Sequence, residues 1–454
     1  MLGFISDFGH CFQTKSVDAV DLAKRYLSGL LTQVPRKNME RIDERMAGPQ
    51  AAGTDHYQRL QQFISDSPWG EDLLYQEIAV RANARLGGRP ESLLIIDESA
   101  HAKKGPASVG TSRQWNGRLG KQDNCQVGVH SVLNCGAHSA LIGTRLFLPG
   151  EWTSDEARCR KAGVPDERND RGALTKIQLA GELITQAVTH GVKFACVAFD
   201  SFYGRDSVLR RSLSGQGLIY CADVPVNTRV FIEKPLTENR PGKITPATLA
   251  VEEQARKMMA DPKHPGRSIL LREGENGQVK SMVWSCRVWE WPERESAAEG
   301  LWLIVREASD GSLKYSLSNA PVSTSLARLA RWQAGRFYVE RCFQDAKSQC
   351  GMSQYQARGW RAWHHHMALV SLALLFLMEE RLLNPMGLSL LSAADVVELL
   401  DWALVSRPTG EQMLQRLQRR HAQRARNGSN ASARDRDRRT RKNKDVGKKS
   451  TAGS

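Results

Sequence analysis

The chain lacks the features that would assign it to several common protein classes. Its nine cysteines include no C-x-x-C pair, which argues against zinc-ribbon and thioredoxin-like sites. The longest apolar stretch, "MALVSLALLFLM", has about a dozen residues and is too short to cross a bilayer. The first residues do not follow the basic-then-apolar order of a signal peptide. We therefore expect a cytoplasmic protein with reduced cysteines and no membrane partner.

Acidic residues are scarce relative to basic ones. The 454 residues include 64 Lys and Arg but 49 Asp and Glu, which gives a formal charge of +15. An excess of this size predicts a polyanionic partner, most commonly nucleic acid. Part of the excess lies in residues 415–449, and its segment "RDRDRRTRKNKD" could serve as a nuclear localisation signal or bind DNA non-specifically. We favour DNA binding.

The hydrophobic pattern changes along the chain and predicts its organisation. Apolar residues recur at helical spacing up to about residue 85, and the stretch "SPWGEDLLYQEIAVRANARL" predicts a helix with Ser67 as N-cap and Pro68 in the first turn. From residue 89 the order is strand, hairpin, helix, strand, helix, strand, which predicts an α/β fold with one mixed sheet flanked by helices. A turn-rich, tryptophan-rich stretch follows, and then one long helix over residues 324–350.

These patterns divide the chain into six segments. The predicted segments are an N-terminal helical DNA-binding domain (1–88), the first part of a catalytic core (89–224), a β-rich insertion (225–320), the last helices of the core (321–385), a C-terminal helical region (386–426) and a basic disordered tail (427–454).

Two buried strands each deliver an aspartate to their carboxyl end. "SLLIIDE" reaches Asp97, and "KFACVAFD" reaches Asp200. Sites in open α/β sheets collect at this edge, and two neighbouring carboxylates repel each other unless a cation lies between them. Oxygen ligands favour Mg²⁺ or Mn²⁺ over zinc. Each aspartate could instead merely begin a turn or cap a helix.

A third carboxylate lies within the long predicted helix. In "RFYVERCFQDAKSQCG", Arg336, Glu340 and Lys347 are spaced by four and seven residues, which puts them on one helix face. Such a face could be a solvated ladder of ion pairs. Arg336 could contact phosphate near a scissile bond or pair with Glu340 one turn away.

The order of these acids resembles the DDE triad of bacterial insertion-sequence transposases. Asp97 and Asp200 precede a β-rich stretch and Glu340 follows it, and R-x₃-E-x₆-K resembles the signature Y-x₂-R-x₃-E-x₆-K of one large branch, with Gln333 at the position of the tyrosine. Further matches are "DESAHAKKGPASVGTSRQWNGRLGKQDNCQV", "FDSFYG", "YSLSNAP" and "GWRAWHHHMALVSLALLFL", so the resemblance covers residues 30–385.

The resemblance implies a ribonuclease-H-like core and a metal-dependent reaction on DNA. Asp97, Asp200 and Glu340 would hold two Mg²⁺ or Mn²⁺ ions for cleavage of the element's ends and transfer of the 3′-hydroxyl to target DNA. The implied partners are double-stranded DNA, namely terminal inverted repeats and target DNA, and further copies of the chain in a synaptic complex. The implied location is the bacterial cytoplasm, associated with the nucleoid.

Basic residues around the triad predict contacts with the DNA backbone. "GTSRQWNGRLGK" does not match a nucleotide-binding P-loop, so a backbone cradle is the favoured interpretation. We expect Tyr203 to stack on a base and the run His364–His366 to serve helix packing, with one histidine toward DNA. The predicted DNA-binding residues are Lys103, Lys104, Arg113, Arg118, Lys121, Tyr203, Arg336 and Lys347.

Three functions compete at this point. The first is a transposase that cuts and joins DNA. The second is a related or domesticated metal-dependent endonuclease, and the third is a non-catalytic, sequence-specific DNA-binding protein that uses its N-terminal helices and basic tail. Three acids in the order of the triad argue against the third.

Overall fold

We describe a computed structural model of the chain. It describes residues 1–46, 55–117, 119–166, 174–235, 248–274, 277–290, 298–384, 387–388, 391–404 and 409–411, with single positions between 414 and 429. The predicted basic tail, 427–454, lies outside the described residues apart from position 429. Arg118, one of the predicted DNA-binding residues, also lies outside them.

Helices precede, interrupt and follow the strands. The described strands are β1 Leu93–Ala102, β2 Ser112–Asn116, β3 Lys121–Cys135, β4 His138–Leu146, β5 Cys196–Phe199, β6 Tyr220–Asp223, β7 Arg229–Phe231, β8 Thr248–Ala250, β9 Arg267–Gly274, β10 Gly277–Glu290, β11 Glu299–Glu307 and β12 Leu313–Ser318. The described helices are α1 Leu2–Asp7, α2 Val20–Leu30, α3 Met39–Met46, α4 Asp55–Ser65, α5 Glu71–Leu86, α6 Gly150–Thr153, α7 Glu156–Lys161, α8 Lys176–Thr189, α9 Ser201–Gly204, α10 Ser207–Gly215, α11 Val251–Ala260, α12 Leu326–Gly335, α13 Phe337–Ser348, α14 Trp360–Leu383 and α15 Ala393–Leu404.

One mixed sheet organises the molecule. Its first part has the order β4-β3-β1-β5-β6, in which β3 runs antiparallel to both β4 and β1, while β1, β5 and β6 are parallel to one another. The predicted ribonuclease-H-like mixed sheet is thereby confirmed. The hairpin between β3 and β4 turns at Gly136, whose φ of +60° is a conformation that favours glycine.

The β-rich stretch extends this sheet. Strand β12 pairs antiparallel with β6, and β11, β10, β7 and β8 follow in order. The parallel strands are therefore central, with paired neighbours on both sides. This position explains why Leu93–Ile96 and Cys196–Phe199 are buried apolar runs.

Helices cover the two faces of the sheet. On one face α13 contacts β1, β3 and β4, and α14 lies beside it. On the other face α8 contacts β3 and β4. Helix α14 is buried on nearly all sides because α2, α4 and α5 of the N-terminal region also pack against it. Within the part of the chain that the structure describes, no helix is both long and apolar enough to span a membrane.

Three local predictions are wrong. Helix α5 begins at Glu71 rather than at Pro68, because Trp69 packs in the core and donates from Nε1 to the carbonyl of Phe63 at 3.2 Å. Strand β1 does not end at its aspartate but continues to Ala102 along β3. The helix predicted over residues 324–350 is two helices, α12 and α13, with a break at Arg336.

Lys37 joins the N-terminal helices to the end of α13. Its buried ammonium donates to the carbonyls of Leu30 at 2.6 Å and Gln349 at 2.5 Å, near the carboxyl ends of α2 and α13. A cation there satisfies helix-end carbonyls and complements two helix dipoles.

Lys37→Met is expected to lower the free energy of unfolding by about 2–4 kcal/mol, because one buried and one partly buried helix-end carbonyl lose their donor. Chemical denaturation measures the difference. Lys15→Met, at an exposed lysine of the same region, is the control and should be neutral. Equal stability of the two variants would contradict the role assigned to Lys37.

Candidate active site

The strand register brings three aspartates to one level of the sheet. Ile96 on β1 pairs with Phe199 on β5, which in turn pairs with Ala222 on β6. The residues that follow this row on the three neighbouring strands are Asp97, Asp200 and Asp223. Parallel neighbours lie about 4.8 Å apart, so the three carboxylates form an acidic row at the carboxyl edge of the parallel strands.

Asp97 has a strongly raised pKa. Burial, followed by the charge of Asp200, raises the pKa of Asp97 to about 7, and the nearby Arg336 opposes this shift. Its Oδ1 accepts from the Glu98 backbone N–H at 2.7 Å, and its Oδ2 lies 3.6 Å from Nη1 of Arg336. A carboxylate held in this way would gain from any further positive charge at its free oxygen.

Asp200 also caps the short helix α9. Its Oδ1 accepts from the backbone N–H groups of Phe202 at 3.0 Å and Tyr203 at 3.3 Å. Burial raises its pKa, and the charge of Arg336 lowers it. Asp200 therefore both caps a helix, as the sequence allowed, and belongs to the acidic row.

Arg336 lies among the carboxylates. Its Nε is 3.2 Å from Asp223 Oδ2, and its Nη2 is 3.8 Å from Glu340 Oε1. Burial alone would lower its pKa, but the charges of Asp223, Asp97, Asp200 and Glu340 raise it. The guanidinium is thus the shared counter-ion of all four acids.

Arg336 lies at the junction of α12 and α13. The helix breaks there, and the preceding Gly335 packs so closely on β1 that a Cβ would lie 2.4 Å from Leu93 Cδ1. Glycine thereby allows α12 to approach the strand that carries Asp97.

Glu340 lies in the first turn of α13. Its side chain is 61% exposed, in contrast to the nearly buried aspartates, and its contact with the row runs through Arg336. Among the described residues no three carboxylate, imidazole or thiol groups converge closely enough to form a metal cluster. The structure therefore brings Asp97, Asp200 and Glu340 around the guanidinium of Arg336. It does not bring the three carboxylates close enough to one another to bind a single metal ion.

Asp223 is the acid that the sequence analysis missed. It accepts from Ser316 Oγ at 2.5 Å, and Gln333 Nε2 donates to the same Ser316 oxygen at 2.7 Å. Gln333, at the position of the signature tyrosine, is therefore part of a chain of hydrogen bonds that ends on Asp223 and Arg336. The available signal was "GLIYCADV", a third strand that ends in aspartate.

The predicted basic residues lie at several depths. Lys104, Arg113 and Lys121 are exposed. Lys103 is half-buried with its ammonium 3.6 Å from the ring centroid of Tyr355, and burial lowers its pKa to about 8. Lys103 and Lys104 line a cavity of about 610 Å³ beside α4. None of the aspartates of the acidic row lines this cavity.

Lys347 lies near the sheet rather than out in solvent. Burial and, to a smaller extent, the charge of Lys347 lower the pKa of His130 to about 3. The same charge helps to lower the pKa of the buried His101. These strand residues lie on the face that carries Asp97, so Lys347 lies along that face.

The stacking role predicted for Tyr203 does not agree with its position. The side chain is fully buried, and its hydroxyl donates to Glu98 at 3.0 Å, the same carboxylate that accepts from Lys176 at 2.7 Å. Its buried ring is therefore closed to a nucleobase.

The histidines of "WHHHM" serve packing. All three, His364, His365 and His366, are buried, so the prediction that one faces DNA is wrong. The ring of His365 stacks on Trp69 with centroids 3.8 Å apart, and Nδ1 of His366 lies 2.8 Å from the Tyr26 hydroxyl. The core position of α14 leaves them no path to solvent.

The sheet topology and the acidic row define the class of this protein as ribonuclease-H-like, with an acidic site at the carboxyl edge of the sheet. Residues 7–278 match the family described as DDE superfamily endonuclease. This is more than half of the chain, and the protein belongs to that family. The matched residues include the three strand aspartates and end before Glu340.

Two individual proteins are similar to the chain. A probable transposase for insertion sequence element IS701 from Microchaete diplosiphon is 31% identical over 185 residues, which are 40% of this chain and 43% of that protein. The match therefore spans under half of that relative. The cryo-EM structure of a piggyBac transposase synaptic complex with hairpin DNA aligns with 92% of this chain and 78% of its own, at 12% identity and a TM-score of 0.39. A score of this size does not establish a common fold.

Proposed function

We propose that the protein is a DNA transposase of an insertion sequence. It would cleave phosphodiester bonds at the ends of a mobile element and join the 3′-hydroxyl ends to target DNA. The observation that carries this proposal is the acidic row at the edge of the parallel strands, where the pKa of Asp97 is raised to about 7 beside Arg336. Membership of the endonuclease family and the similarity to the IS701 protein support it.

Asp97, Asp200 and Glu340 are the proposed metal ligands. The fit rests on donor chemistry: buried carboxylate oxygens that repel one another suit a hard divalent cation such as Mg²⁺ or Mn²⁺, and we propose two ions per site. When bound, such ions activate the attacking oxygen and neutralise the leaving oxygen. Asp97 and Asp200 are held by backbone N–H groups, whereas Glu340 is the exposed and more adjustable ligand.

Arg336 and Asp223 have supporting roles in this proposal. Arg336 would contact the phosphate near the scissile bond, where its permanent charge offsets the charge of the substrate. Asp223 acts as a positioning residue, because its Oδ2 holds Nε of Arg336 at 3.2 Å while Ser316 fixes its other oxygen.

The basic residues outside the acidic row would hold the DNA backbone. The proposed contacts are Lys103, Lys104, Arg113, Arg118, Lys121 and Lys347. Such contacts orient the duplex without reading its sequence. Terminal repeats and target DNA are the proposed substrates, and two ends would be held together by an oligomer of the chain.

Glu340→Gln is expected to keep DNA binding within about twofold and to reduce cleavage at least about 100-fold, because the amide conserves the side-chain shape but loses the anionic ligand. The assay follows labelled DNA that carries the inverted repeats flanking the gene, with Mg²⁺ present. Glu398→Gln, at an exposed glutamate of α15, is the control.

The same reaction distinguishes two activities. Strand-joined product in the presence of target DNA indicates a transposase, whereas cleavage without joining indicates an endonuclease. Wild-type cleavage by Glu340→Gln would remove this residue from the proposed ligand set.

A further inference from the structure

The hairpin formed by β2 and β3 exposes an aromatic side chain between basic residues. Trp115 is 57% exposed on β2, Arg113 is exposed on the same face, and Lys121, opposite Asn116, is exposed on the other face of the hairpin. A single exposed tryptophan is unremarkable on a protein surface, and Trp402 is 80% exposed elsewhere. What separates Trp115 is its position relative to the acidic row.

The strand register puts Trp115 on the same face of the sheet as Asp97. Asp97 is opposite His130 on β3, and Trp115 is opposite Gln122 on the same strand. Opposite residues of an antiparallel pair share a face, and every second residue along a strand returns to it. Eight residues separate His130 from Gln122, so Trp115 and Asp97 share a face.

This face is covered near the acidic row and open at the hairpin. His101, which shares the face, is buried. Further along, Arg113 and Trp115 are exposed, while their neighbours Ser112 and Asn116 point to the other face and are buried. Arg113 and Trp115 therefore lie on the sheet face that carries Asp97, beyond the part of that face that helices cover.

The dimensions of the hairpin suit duplex DNA. A rise of about 3.3 Å per residue gives at most roughly 26 Å between the levels of Asp97 and Trp115. That length corresponds to about eight base pairs of duplex. A two-stranded ribbon fits the major groove, and β2 is the last strand on its side of the sheet, with only β3 as a neighbour among the described strands.

We infer that this hairpin is a second DNA contact, in which Trp115 lies against base edges in the groove about six to eight base pairs from the scissile phosphate. Arg113 holds a flanking phosphate from the face of Trp115, and Lys121 holds one from the other face of the ribbon. Their charge favours DNA over a second copy of this basic chain as the occupant. The inference deepens the proposed function and rests on it for the location of the scissile bond.

The first test measures affinity by fluorescence anisotropy with the full chain and a labelled duplex that carries the terminal repeat. Trp115→Ala is expected to bind about 5- to 100-fold more weakly than wild type, with Trp115→Phe intermediate. Arg113→Ala should weaken binding and reduce the slope of log affinity against log salt by about one. Trp402→Ala is the matched control and should bind as wild type does. Equal affinities for Trp115→Ala and Trp402→Ala would overturn the inference.

The second test maps the contact with a photo-crosslinking amino acid at position 115. Crosslinks are expected six to eight base pairs from the cleavage position, on the element side or in flanking or target DNA, and the crosslinked strand identifies which. Crosslinking to another copy of the chain, or only at the cleavage position, would refute the groove contact. Cleavage that depends on Asp97 while Trp115→Ala behaves as wild type would reject this inference and leave the proposed function standing. A crosslink from position 115 to the terminal-repeat duplex without any cleavage would support DNA binding by this hairpin and reject the proposed function.

Discussion

Asp97→Asn is expected to abolish DNA cleavage and, at the same time, to stabilise the folded protein above pH 7. Loss of an anionic ligand from the proposed metal site should reduce cleavage at least about 1000-fold, a change of about 4 kcal/mol in the activation barrier. Stability should move the other way, because the native carboxylate is buried beside Asp200. A site that destabilises its own fold is a recurrent feature of functional residues.

The direction of the stability change follows from the raised pKa of Asp97. Its value of about 7 in the folded protein exceeds the ordinary value of 3.8, so between about pH 4 and pH 7 the folded state holds a proton that the unfolded state has released. The free energy of unfolding therefore falls as pH rises through this window, by an amount on the order of 4 kcal/mol at most. In Asp97→Asn the side chain does not titrate, so this pH-dependent fall in the free energy of unfolding is absent.

Thermal melts at pH 4.5 and pH 8 measure this effect. Asp97→Asn should melt above wild type at pH 8, and the difference should shrink toward pH 4.5. Glu398→Gln, the exposed control, should follow wild type at both values. A variant that is less stable than wild type at pH 8 would contradict the environment assigned to Asp97, whatever its activity.

Arg336→Met is expected to be the most destabilising substitution near the acidic row. The guanidinium is three-quarters buried and is the shared counter-ion of Asp97, Asp200, Asp223 and Glu340. Removing one partner of a buried ionic cluster costs about 3–5 kcal/mol, because the remaining charges are left uncompensated. The loss should be larger at pH 8 than at pH 5, since carboxylates with raised pKa values take up protons as pH falls.

Chemical denaturation at the two pH values tests this prediction. Arg336→Lys should recover part of the stability, because an ammonium keeps the charge but not the forked geometry. Arg328→Met, at an exposed arginine of α12, is the matched control. If Arg336→Met and Arg328→Met were equally stable at pH 8, Arg336 would not be the counter-ion of the acidic row.

The central strands and two of the acids could be predicted because their signals are local. A short apolar run that ends in aspartate indicates a central strand with the aspartate at the carboxyl edge of the sheet. Both Asp97 and Asp200 follow such runs. Asp223 has the same signal but falls outside the triad pattern. Its importance depends on the pairing of β5 with β6 and on the contact with Arg336, which only the tertiary structure shows.

The remaining differences arise from packing that the sequence does not encode locally. A continuous helical pattern runs through Arg336, but α12 ends at Gly335, which packs closely on Leu93, and α13 begins at Phe337. Tyr203 follows Asp200, a proposed metal ligand, and its ring nevertheless turns inward to Glu98. In the same way, the apolar composition of α14 indicates burial, yet the burial of its histidines depends on the helices that surround it.

Binding of Mn²⁺ by the full chain, followed by calorimetry and electron paramagnetic resonance, tests the central claim most directly. The claim is that Asp97, Asp200 and Glu340 hold divalent cations for phosphodiester chemistry, while Asp223 only positions Arg336. We predict that Asp97→Asn and Asp200→Asn lose Mn²⁺ binding, that Glu340→Gln weakens it, and that Asp223→Asn retains it. Wild-type Mn²⁺ affinity in Asp97→Asn would contradict the account.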